Sequence, residues 1–225
     1  MARLLTRGLI AGMIAGFLAA LFATFVGEPA MEAALRLEQG GGTEAAGAGS
    51  VRPGLFVAGM LCGAGYGGLF ALVFACCLGR IGPRDARRLA LVLAVAAFVV
   101  VYLVPALKYP PSPPGYEPGG TIAVRTAGYF QMVAVSLLSA LLGIVVAERT
   151  GGARLWLSGF ATYVLVVGVM QAVLPAAADA TGHYPADLLW QFRLSSAGMQ
   201  FVLWATLGAT FGHFAAKTSS GKRPA

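Results

Sequence analysis

His183 and Asp187 stand four residues apart in TGHYPADLLWQFR (181–193), and Glu28 and Glu32 stand four apart in VGEPAMEAA (26–34). A spacing of four sets two side chains on one face of a helix. Pro185 suits the first position of a helix, where a missing N–H costs nothing, so a helix beginning there brings the imidazole and the Asp187 carboxylate together. One imidazole nitrogen with carboxylate oxygens is a donor set for a borderline divalent cation such as Co²⁺, Ni²⁺ or Zn²⁺. It is enough to attract a metal but does not make a closed tetrahedral cage. Each pair also has a plainer account. An Asp in a first turn is favoured by the helix dipole whatever the function, and carboxylates at a helix end are commonly just solvated.

The elements that carry these residues belong to a membrane protein. The chain is 58% hydrophobic and only 11% charged, with a mean hydropathy of +0.76, outside the range of soluble domains. Its 31 glycines and 12 prolines fit a helical bundle, where neighbouring helices re-satisfy backbone groups and small residues allow close approach. The expected fold is all-α, one integral membrane domain over 1–225, built as three tandem helical hairpins. Its spans are expected at 8–27, 55–78, 89–107, 128–147, 155–174 and 196–216.

Six spans put both termini on one side. Arg3, Arg7, Arg80, Arg84, Arg87, Arg88, Arg149, Arg154, Lys217, Lys222 and Arg223 fall on that side, leaving only Arg36, Arg52, Lys108, Arg125 and Arg193 opposite. The positive-inside rule makes the termini cytoplasmic. The net charge of +7 therefore marks a membrane face rather than a nucleic-acid surface. Most acids, Glu28, Glu32 and Asp187 among them, lie on the outer side.

Two outer loops echo each other. VPALKYPPSPPG (104–115) and LPAAADATGHYPAD (174–187) both leave the membrane at a proline and reach a basic residue followed by Tyr-Pro, here Lys108-Tyr109-Pro110 and His183-Tyr184-Pro185. Each is followed by an arginine, a glycine and a glutamine: Arg125, Gly128 and Gln131, then Arg193, Gly198 and Gln200. Lys108, Arg125 and Arg193 suit snorkelling at the boundary. Beside Asp187 or Glu28, Arg193 would hold a cation site shut until the cation displaces it. Tyr109, Tyr184, Trp190 and Phe192 suit an interfacial aromatic belt.

Gly8, Gly12 and Gly16 in the first span, and Gly59, Gly63 and Gly67 in the second, recur every four residues. Such stripes let another backbone approach closely, within the chain, in a partner or in a second copy of the chain. Cys62, Cys76 and Cys77 read as small packing residues without metal spacing. There is no phosphate-binding G-x-x-x-x-G-K-[ST] loop, no H-E-x-x-H and no G-x-S-x-G, so no enzyme is expected.

VGEPAMEAA, VPALKYPPSPPG and HYPADLLWQFRLSSAGMQFVLW (183–204) resemble CbtA, a family of bacterial membrane proteins proposed to be cobalt transporter subunits. The resemblance runs from the first helix to the last. The Lys-Tyr-Pro-x-x-Pro-Pro-Gly and Tyr-Pro-Ala-Asp-x-x-Trp-x-Phe-Arg elements carry it most specifically. It implies cobalt uptake linked to cobalamin synthesis, beside a very small one-helix partner, CbtB, with a histidine-rich tail. A span needs about 20 apolar residues, and by that measure this chain has six where the family is described with about five. The expectation is an inner-membrane permease subunit with Glu28, Glu32, His183 and Asp187 as metal ligands, Co²⁺ as substrate and no permanently bound cofactor. The alternative is a membrane scaffold whose motifs bind a partner protein.

Overall fold

An apolar run inside a bilayer finds no water for its peptide groups, so it closes each N–H and C=O on itself as a helix. The computed structural model describes residues 1–38, 48–113, 122–151, 155–175 and 185–220, and among the described residues there is no strand. The elements are α1 (Ala2–Phe22), α2 (Glu28–Glu38), α3 (Ala48–Cys77), α4 (Ala86–Ala97), α5 (Val104–Lys108), α6 (Ile122–Thr150), α7 (Leu155–Val173) and α8 (Ala186–Ser220). A π-helical turn, Ala23–Gly27, joins α1 to α2 without a break, and another, Phe98–Leu103, joins α4 to α5.

Both π-turns come just before a proline, Pro29 and Pro105. A proline within a helix removes one N–H, and its ring clashes with the carbonyl four residues back. Widening the preceding turn accommodates both effects. Side chains reach carbonyls of the disturbed turns: Tyr129 OH comes within 3.5 Å of Val101 O, and Ser195 Oγ within 3.2 Å of Val26 O. The first helix therefore runs past residue 27, where hydropathy alone ends it, to Glu38.

Among the described residues five stretches are long and apolar enough to cross a membrane: Ala2–Leu37, Pro53–Cys77, Ala86–Lys108, Ile122–Thr150 and Leu155–Val173. α8 has ample length at 35 residues. Arg193, Gln200, Thr206, Thr210 and His213 dilute its apolar run, and it is not among the five. Hydropathy expects a sixth span at 196–216, and the structure places there a long helix of mixed character.

The chain forms two compact units, Met1–Phe98 with Trp190–Ala225, and Val99–Leu189. In the first, α1 and α3 run antiparallel with Gly8 on Gly67, Gly12 on Gly63 and Gly16 on Gly59. A Cβ added at any of these six would come closer than 3.0 Å to the opposing backbone. The two stripes thus meet each other within the chain. α8 uses the same device on α4: Gly208 faces the Ala94 methyl and Gly212 faces Ala90. Between them Phe211, fully buried, meets the rings of Phe70 and Phe74 edge-on at 5.3 and 4.9 Å, a geometry that matches the positive ring edge to a negative face.

In the second unit α6 and α7 cross at Gly143 and Gly159, each of which has no room for a side chain beside the other's carbonyl. Val104, Tyr109, Met132 and Val167 form the core there, with Tyr163 packed against it. Ser136 is fully buried but not orphaned, because its hydroxyl meets Tyr163 OH at 2.9 Å. Ser139 turns its hydroxyl back onto Val135 O at 2.7 Å, the local bond that lets serine sit in an apolar helix. Leu61, Leu69, Leu138 and Leu157 are all more than half exposed, as a lipid-facing wall requires.

Candidate functional site

The Lys108-Tyr109-Pro110 motif begins where α5 ends. Pro105 sits in the first turn of α5, just past the widened turn that accommodates its ring and its missing N–H. The helix stops at Tyr109, with φ −124° and ψ 76°, because the residue before a proline is driven out of the helical region. That turn points Tyr109 inward. Its side chain is 5% exposed, its hydroxyl donates to Pro175 O at 2.9 Å, and its ring lies on Gly128, where an added Cβ would come within 2.7 Å of it.

The neighbouring polar groups complete a latch. Lys108 Nζ donates to Gln171 O at 2.6 Å, Gln171 Nε2 donates to Val104 O at 3.1 Å, and the Arg125 guanidinium donates to Pro110 O. Every acceptor is a main-chain carbonyl close to a helix end or a proline, groups left over when a helix stops. The latch ties together the ends of α5, α6 and α7. Lys108 and Tyr109 do not take the snorkelling and belt positions that sequence suggests; the unpaired carbonyls around the prolines draw them inward.

Glu28 and Glu32 are one turn apart on α2, both half-buried. Glu32 pairs with Arg36, a further turn along, at 3.9 Å. Sequence reasoning gives Arg36 no site role, although its spacing of four from Glu32 is the signal for this pair. Asp187 is exposed in the first turn of α8, in the residues that group with the second unit, whereas Glu28 and Glu32 belong to the first. Pro185 immediately precedes α8, and its carbonyl accepts the Leu189 N–H at 3.2 Å. His183 and Tyr184 lie outside the described residues. Among the described residues no three of His, Cys, Asp and Glu gather as a metal-holding group.

Arg193 is half-buried, and its buried Nε has no hydrogen-bond partner among the described residues. Trp190 is 61% exposed. Five residues beyond Arg193, Gly198 lies under the Phe22 ring, with room for a Cβ only within 2.6 Å of it. Gly128 under Tyr109 is the same arrangement three residues beyond Arg125. The ring on Gly198 comes from α1, whereas the ring on Gly128 comes from the loop itself.

A family model described as "Probable cobalt transporter subunit (CbtA)" matches residues 1–216. Comparison with curated proteins and with solved structures gives no match.

Proposed function

The chain belongs to this CbtA family of probable cobalt transporter subunits, and from that premise we propose that it is the permease subunit through which Co²⁺ enters the cell for cobalamin synthesis. The observation that carries the proposal is a family match over nearly the whole chain in a multi-pass protein with five helices suited to crossing a membrane. Glu28 and Glu32 draw the cation to the exit of the first helix, and His183 and Asp187 do so before α8. The Glu32–Arg36 pair is partly exposed and so holds only weakly; a divalent ion outcompetes it. Energy comes from the ion gradient or from a partner.

A family named as a subunit implies a partner. We take that partner to be a small, single-helix, histidine-bearing protein, because this chain has only two histidines and imidazole is the donor a borderline cation prefers. The protein itself carries no reaction in this reading.

Losing second-shell groups alone costs a metal site roughly 10- to 100-fold in affinity. Cells expressing Glu28→Gln with Glu32→Gln, or His183→Ala with Asp187→Ala, should therefore accumulate at least about tenfold less cobalt. Unchanged accumulation with the protein present in the membrane would sink the permease reading. It would leave a scaffold whose HYPAD residues matter for packing alone.

The proposed orientation, in a bacterial inner membrane with both termini cytoplasmic, requires α8 to cross. Its less apolar sequence does not prevent this, because Gln200, Thr206 and Thr210 are partly buried and Thr210 turns its hydroxyl onto Thr206 O at 2.6 Å. A fluorescent protein fused after Ala225 should fluoresce, and alkaline phosphatase fused there should be inactive. The reverse pattern would mean five crossings and opposite termini.

A further inference from the structure

At one end of the first unit, α8 holds basic residues from two other helices. Arg7 of α1 donates through Nη1 to Phe214 O at 2.8 Å, and Arg87 of α4 lies with Nη2 3.3 Å from His213 Nδ1. Consecutive residues of α8 thus anchor guanidiniums from two different helices. Neither anchor is a carboxylate. A carbonyl or an imidazole nitrogen holds an arginine in place without cancelling its charge, and each fork keeps further N–H donors. Among the described residues neither guanidinium pairs with a carboxylate. The nearest acid in sequence, Asp85, is occupied as the cap of α4, accepting the Arg88 N–H at 2.8 Å.

We infer that this end of the unit is a binding site for the phosphate headgroup of an anionic phospholipid. Two positioned forks suit the oxygens of a phosphodiester. The choice of a lipid over a soluble anion rests on the apolar side chains further along the same helices. Leu91 and Val92 come one turn after Arg87 and Arg88, on the same stripes, and are 43% and 50% exposed. Leu9 and Ile10, within a turn of Arg7, are 43% and 45% exposed. A guanidinium one turn from a free apolar side chain matches a phosphate one step from an acyl chain.

The test is thermal unfolding of the full chain purified in neutral detergent, titrated with short-chain phosphatidylglycerol, short-chain phosphatidylcholine or inorganic phosphate. Phosphatidylglycerol should give a saturable upward shift, and the other two none. A basic residue near an anionic lipid surface contributes about 1 kcal/mol, so Arg7→Gln with Arg87→Gln should weaken that binding roughly thirtyfold. Arg36→Gln, whose side chain is 72% exposed in its pair with Glu32, should leave it unchanged.

An equal response to phosphatidylcholine or phosphate, undiminished binding by the double variant, or an equal loss in Arg36→Gln would each overturn the site. Saturable binding of polyglutamate with none of phosphatidylglycerol would overturn it in favour of an acidic protein partner. Should the double variant not purify folded, the wild type decides: binding that falls with rising salt supports the site, and salt-independent binding overturns it.

Discussion

Gly63→Leu should prevent accumulation of folded protein, whereas Gly65→Leu, two residues along the same helix, should be tolerated. A Cβ at Gly63 meets the backbone of Gly12 and Gly16, and backbone has no rotamer by which to move aside. Overpacking among side chains costs about 1–3 kcal/mol. Here the only relief is to separate α1 from α3, which loosens every Gly–Gly contact along the stripe at once, so the cost lies above that range. Gly65 has nothing within 4 Å of an added Cβ and faces outward. The measurement is the monodisperse fraction after detergent extraction, with the unfolding temperature of whatever is recovered. A Gly63→Leu protein that unfolds at the wild-type temperature would refute the close contact between the helices.

The stripes were legible in the sequence because a spacing of four is nearly one helical turn, so they must lie on one face. Their mutual pairing was not legible. Spacing fixes which face is smooth but says nothing of which other smooth face it meets, and Gly143 with Gly159 forms a second such crossing that no run of glycines announces. The π-turns were hidden for a related reason. Glu28-Pro29 reads as a point where a helix ends, since proline usually ends one, and Val104-Pro105 as the point where the chain leaves the membrane within the span expected at 89–107. Instead the preceding turn widens and the helix continues.

The site divides in the same way. The recurrence of basic residue, Tyr-Pro, Arg and Gly was visible in the residue types, and both of the echo's glycines do lie under an aromatic ring. The identity of that ring was visible in neither case, because Tyr109 comes from the loop itself while Phe22 comes from α1. Hydropathy assigns a tyrosine or lysine at a membrane exit to the interface. It does not register that nearby prolines leave carbonyls needing donors, and at Lys108 and Tyr109 that need decides where the side chains go.

Tyr109→Ala should destabilise the second unit far more than Tyr109→Phe, and the contrast separates the two roles of the ring. Phe keeps the packing on Gly128 and loses the hydroxyl that Pro175 O accepts, a cost of about 1 kcal/mol. Ala also empties the space of an aromatic side chain that is 5% exposed, and such truncations cost about 3–5 kcal/mol. Equal losses in the two variants would show that the ring is not packed as described. Gly128→Ala supplies the sharper check. Alone it drives a methyl into the Tyr109 ring and should lower the unfolding temperature. In the Tyr109→Ala background the ring is gone, so the same methyl meets no clash and fills part of the void. The two substitutions should therefore be strongly non-additive, as contacting residues are, and the double variant should be no less stable than Tyr109→Ala alone. Simple additivity would mean that loop and helix do not touch, and the latch would then reduce to its hydrogen bonds.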